Sequence, residues 1–129
     1  MKNNVNVLIF VESRYRGNRK RIKSAISKLL GEQGIQSSVE VSIAIVGDRK
    51  MRELNKKYRG EKKTTNVLSF PLSEGKAISL PSDVLRLGDI VISYPQVIKE
   101  AAEEEMMIDD KIDELINHSM LHLLGVHHD

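Results

Sequence analysis

Asp109-Asp-Lys-Ile-Asp-Glu-Leu-Ile-Asn-His118-Ser-Met-Leu-His122-Leu-Leu-Gly125-Val-His127-His128 runs almost to the end of the chain, and its reading decides the rest. All four histidines of the 129 residues fall inside it. His118 and His122 are four apart, so on a helix they share one face, one turn from each other. Ile112, Leu115, Ile116, Leu123 and Leu124 give that helix an apolar side to bury, and Asp109 and Asp110 suit its positive first turn. The spacing predicts a helix from Asp109 to about Leu124. Gly125 stands where a helix can end through a positive φ. His128 then arrives from outside the helix. Two imidazoles from a helix and a third from the following turn compose an open zinc site, with the fourth position left for water.

The spacing H-x3-H-x2-G-x2-H is the ligand spacing of metzincin peptidases. Those enzymes carry a glutamate after the first histidine as general base, and this chain has Ser119 there. The metal cradle is expected without the peptidase base, so a small metallopeptidase is the weaker reading. His118, His122 and His128 are the candidate ligands of one Zn2+ per chain. Nickel, copper or iron would also take three imidazoles. His127 is one place off the spacing. A zinc ion so held lowers its water's pKa to about 7 and polarises a phosphoryl or carbonyl oxygen, which points to hydrolysis. The residues name no general base.

Working outward, Val5–Val11 reads as a strand by its β-branched content. Asn18 caps an expected helix over 19–31, with Ile22, Ala25, Ile26, Leu29 and Leu30 inward and Gly31 or Gly34 as its stop. A strand follows over 39–46. Asp48 is read as the N-cap of a helix over 49–58 with Met51, Leu54 and Tyr58 inward. A polar loop over 59–65 leads to a strand, Asn66 to Pro71. Residues 72–87 read as a loop, and 88–93 as a fourth strand. Pro95 opens a helix to about Glu105. The order β-α-β-α-β-β-α-α implies an α+β fold. One domain over 1–129 is expected, a mixed, roughly four-stranded sheet packed with helices, the histidine helix and its turn at the C-terminus.

Composition excludes several classes. With 40% apolar and 29% charged residues the chain is an ordinary globular sequence. It has no cysteine, so neither disulfides nor thiolate ligands are available. No stretch reaches the roughly 20 apolar residues of a membrane helix, and the start lacks signal-peptide character, so a cytoplasmic protein without membrane partners is expected. The net charge of +2 hides an asymmetry. Residues 1–65 hold 16 Lys/Arg against 6 Asp/Glu, and residues 66–129 hold 4 against 12. Arg14, Arg16, Arg19, Lys20, Arg21, Lys23 and the run from Arg49 to Lys63 would steer a polyanion to one side, unless they are simply solvated helix faces.

A second constellation joins Leu54-Asn-Lys-Lys-Tyr58-Arg59 to Thr65-Asn66-Val-Leu-Ser69-Phe70-Pro71. Arginine offers a planar fork for bidentate phosphate binding, and Arg59 at a helix end beside a polar loop could supply it. The plainer reading is an arginine satisfying helix carbonyls.

With these blocks in place, the chain resembles the YbeY family of bacterial single-strand endoribonucleases. The matching stretches are LNKKYRG at 54–60, TNVLSFP at 65–71, LGDIVIS at 87–93 and HSMLHLLGVHH at 118–128, in the family's order and spacing. The resemblance implies an α+β fold, one zinc on His118, His122 and His128, and cleavage of single-stranded RNA with Arg59 and His118 in the catalytic cleft. It implies partnership with ribosomal RNA and the small ribosomal subunit, in 16S 3′-end maturation and ribosome quality control, with no DNA. The chain departs from the family pattern at Ser119, usually glycine, and at His127, usually aspartate. In the loop, Lys62 and Asn66 replace acids and Thr64 replaces proline, which makes that loop more basic. A non-catalytic, zinc-stabilised ribosome- or RNA-binding factor is the alternative.

Overall fold

Val39, Val41, Ile43 and Ile45 alternate with Glu40, Ser42 and Ala44, and this period of two builds the central strand β2 (Ser38–Val46). The computed structural model describes residues 5–72 and 84–126. Strand β1 (Val5–Val11) pairs parallel with β2 on one side. Strand β4 (Val84–Ser93) pairs parallel on the other, and β3 (Val67–Pro71) closes that side antiparallel to β4. The sheet is therefore mixed, with order β1-β2-β4-β3.

The odd residues of β2 face the larger core. Helix α1 (Arg19–Glu32) brings Ile22, Ile26, Leu29 and Leu30 to it, α3 (Tyr94–Glu103) brings Val97, and α4 (Ile108–Leu123) brings Ile112, Leu115, Ile116, Met120 and Leu123. Each such side chain removed from water contributes about 1.5–3 kcal/mol. The other face carries a smaller cluster, Val46, Met51, Leu68 and Val91, covered by helix α2 (Asp48–Arg59). That helix does not reach β1, where Leu8 and Phe10 stay 51% and 58% exposed.

Element order and type agree with the sequence reading, and the differences are physical. Asn18 does cap α1, its side chain accepting from the Arg21 N–H. Gly31 lies inside the helix, and the positive φ of 70° belongs to Gly34. Asp48 is the first residue of α2 rather than its cap; Gly47 holds the cap position, with its N–H on the Glu12 carboxylate at 2.8 Å. Tyr58 is 56% exposed, and the second inward position of α2 is taken by Asn55 at 2%. Ala25 is only half-buried.

Residues 84–87, read as loop, are strand. A bulge hid them. Glu40 pairs with Arg86 and Val41 with Gly88, so β4 spends one extra residue there. The extra residue shifts the alternation, so Leu87, Ile90 and Ile92 all reach the core while Arg86 and Asp89 sit beside Glu40 and Ser42 on the other face. Gly88 makes this possible with φ 138°, and a Cβ there would lie 2.2 Å from the Phe70 carbonyl oxygen. Gly88→Ala is expected to lower stability by at least about 1–3 kcal/mol, read as the urea midpoint, because both strain and a backbone clash oppose it.

Candidate metal centre and basic loop

The apolar stripe of α4 dictates where its histidines point. Ile112, Ile116, Met120 and Leu123 are buried at 0–4% exposure, which leaves His118 and His122 on the solvent side. Their Nε2 atoms lie 3.2 Å apart, with ring centroids 4.6 Å apart. Two nitrogens each about 2.0–2.1 Å from a tetrahedral ion lie about 3.3–3.4 Å apart, so the pair already has the bite of a chelate. Gly125 takes φ 79°, its N–H donates to the His122 carbonyl at 3.0 Å, and Val126 N–H donates to the Leu121 carbonyl at 2.8 Å. These two bonds form a Schellman turn, which ends the helix. His127 and His128 lie outside the described residues. Among the described residues no three His, Cys, Asp or Glu side chains come together as a metal site.

Ser119 is fully buried, and its Oγ has no hydrogen-bond partner among the described residues. Position 119 thus turns into the packed side of α4, away from the face that exposes the imidazoles.

Arg59 ends α2, exposed, and Gly60 follows with φ 70°. The neighbouring Tyr58 ring meets Phe70 of β3 edge-on at 5.1 Å. Helix α4 packs on the other side of β3, where Val67 joins the larger core. The last turn of α2 and the histidine helix therefore approach one edge strand from its two faces.

The basic loop after Arg59 is tied down from below. Buried Asn55 donates from Nδ2 to the Lys63 carbonyl at 2.7 Å. Asp48 accepts from Thr64 at 3.0 Å, Ser93 at 2.8 Å and Gln96 at 3.2 Å. Asn66 donates from Nδ2 to Glu100 at 2.9 Å. Glu100 in turn lies 3.5 Å from the ammonium of Lys111, 4% exposed on α4, which also meets Glu104 at 3.0 Å and Glu114 at 3.4 Å. Thr64 and Asn66 both take part in this junction. Lys62 and Lys63 stay exposed above it.

Burial alone would raise the Asp48 carboxyl, but the hydrogen bonds from Ser93, Gln96 and Thr64, with the Arg52 charge, outweigh it and hold it below the usual aspartate range. Burial likewise pulls Lys111 down, and Glu104 and Glu114 reverse it, so its ammonium stays charged to higher pH than usual. Sequence reasoning missed this junction; its one legible signal was a polar Asn55 in the inward row of α2. The basic stripe is also less free than its composition suggested. Arg21 is held by Asp110 at 2.5 Å and Asp113 at 2.9 Å, and Arg14 by Glu12 at 3.3 Å.

A mixed four-stranded sheet whose last helix sets two imidazole nitrogens 3.2 Å apart on its exposed face, beside a pinned basic loop, defines a small α+β domain. Comparison with known proteins gives the family. The family model described as Endoribonuclease YbeY matches residues 9–129, and the chain belongs to that family. A relative named Endoribonuclease YbeY from Anaeromyxobacter sp. is 37% identical over 116 residues, which is 90% of this chain and 57% of the relative. Another of that name from Clostridioides difficile is 37% identical over 109 residues, 84% of this chain and 71% of the relative. A Thermotoga maritima protein solved in solution superposes with a TM-score of 0.61 over 97% of this chain and 75% of that one, at 24% identity, and shares the fold. No helix among the described residues is long and apolar enough to cross a membrane.

Asp48 gives a pH signature. Its folded pKa lies below its unfolded value, so its stabilisation is present above about pH 4 and is lost as pH falls through the lower folded value. Urea midpoints are expected to be lower for Asp48→Asn than for wild type at pH 7, with the difference shrinking below pH 4.

Proposed function

We propose that the chain is a zinc-dependent endoribonuclease of single-stranded RNA, acting in the cytoplasm on ribosomal RNA of the small subunit, in 16S 3′-end maturation and ribosome quality control. The 3.2 Å separation of the His118 and His122 nitrogens carries the metal part of this reading, since two exposed imidazoles at chelating distance fit zinc chemistry. His128 is the third ligand on this reading. Zinc, when bound, supplies a Lewis acid and an acidified water. His118 and His122 would hold it through imidazole nitrogens on one face of α4.

The chain's own groups do the rest. The Arg59 guanidinium makes no ion pair among the described residues and is free to take two phosphate oxygens, neutralising charge as it develops. Lys56, Lys57, Lys62 and Lys63 extend that positive surface along the RNA backbone, and the Asp48, Asn55 and Asn66 bonds keep it from collapsing onto the protein. With Ser119 turned into the core, position 119 offers no general base, which disfavours the metallopeptidase reading.

Metal content and cleavage of a single-stranded RNA, measured together, test this. About one zinc per chain and cleavage by wild type are expected, with both lost in His122→Ala. Zinc bound without cleavage would support the non-catalytic RNA-binding factor instead. Absence of zinc from wild type would sink the metal reading. Arg59→Ala is expected to lower kcat on the order of a hundredfold with zinc content unchanged, and an unaltered rate would remove Arg59 from the mechanism.

A further inference from the structure

A cavity of about 600 Å³ opens at the other end of α4 from the histidines, between the starts of α1, α3 and α4. Ile108 on its wall precedes His118 by ten residues, so the two lie about 15 Å apart along the helix axis. We propose that this cavity is a nucleotide pocket and that, on the functional reading above, it takes one nucleotide of the RNA strand away from the cleaved bond.

The lining has the chemistry of a base and a phosphate together. Tyr94 forms one wall. Tyr15 stacks on that ring at 4.8 Å and 28° and does not itself line the cavity, so it backs the ring and fixes its plane. Met106 and Met107 bring polarizable, adaptable thioether side chains to the same space, and Met107 is 73% exposed although apolar. A lining that combines an aromatic ring with thioethers suits the π-face of a base.

The charges select further. Arg21 on the wall is paired with Asp110, also on the wall, at 2.5 Å and with Asp113 at 2.9 Å, so its charge is taken up within the protein. That leaves Arg16 and Asp109, neither with a partner among the described residues. Arg16 suits a phosphate. Asp109 would repel a phosphate or any free anion, but it accepts from the N–H groups on a base edge, and guanine presents two of them side by side. A bare metal ion is opposed by Arg16. One cation, one acceptor and one stacking wall match a nucleotide better than they match any simple ion.

The five methionines give a direct readout by methyl NMR on the full chain. Addition of 5′-GMP is expected to shift the Met106 and Met107 methyls saturably. Tyr94→Leu, which keeps apolar bulk in a half-buried position, is expected to weaken that binding about five- to tenfold. Because Tyr94 packs against the core, Arg16→Ser, exposed and outside it, serves as the second variant and is expected to weaken it as well. In cleavage assays both variants should raise KM with kcat kept. Methyls unmoved by 5′-GMP, or both variants binding as wild type does, would overturn the pocket. RNA cleavage by a wild type whose methyls ignore 5′-GMP would remove the pocket alone. A response to 5′-GMP in a wild type that neither binds nor cleaves RNA would keep the pocket and overturn the function proposed above.

Discussion

One helix has to satisfy two demands at once, and the molecule is arranged around that. Helix α4 must bury Ile112, Ile116, Met120 and Leu123 against the sheet while holding two imidazoles in water. A period of 3.6 residues permits both, because the apolar row and the 118/122 row fall on different sides of the cylinder. The apolar side locks the helix to β3 and β4, so the imidazoles gain a fixed position they would lack on an isolated helix. Their 3.2 Å separation is therefore a property of core packing as much as of spacing.

The same helix organises the polar half of the molecule. Its buried Lys111 draws Glu100, Glu104 and Glu114 together, and through Glu100 it reaches Asn66 at the head of β3. An ammonium 4% exposed is tolerable only when carboxylates surround it, so this group ties α3 to α4 with little freedom of register. Asp48 does the equivalent for α2, accepting from the basic loop, β4 and α3 at one carboxylate. The long basic side chains of this loop then project from a backbone held at Lys63 by Asn55 and at Thr64 by Asp48.

Strong periodic signals were legible before any coordinate. Val39 to Val46 alternates, α1 shows its apolar stripe behind Asn18, and the histidine block announces its helix and its glycine stop. The failures share a cause. Tyr58 was read inward with Met51 and Leu54, yet it is 56% exposed, with Phe70 at 5.1 Å and the Lys57 ammonium over its ring. Residues 84–87 looked irregular because the Leu87–Gly88 bulge broke the period of two. Asp48 looked like a cap because caps are local, whereas its partners Thr64, Ser93 and Gln96 are 16 to 48 residues away.

What the sequence determined by itself is the set of local choices: where helices begin and end, which side of each is apolar, and that His118 and His122 share a face. These follow from neighbours within four residues, and backbone geometry fixes them. Tertiary structure decided what no local rule contains. It chose the strand order β1-β2-β4-β3, turned Ser119 inward, neutralised Arg21 with Asp110 and Asp113, and brought Tyr94 beside the start of α4 to enclose a cavity. Those outcomes depend on pairs of groups far apart in the chain, whose meeting is set by burial and charge compensation over the whole fold rather than by the spacing of residues along it.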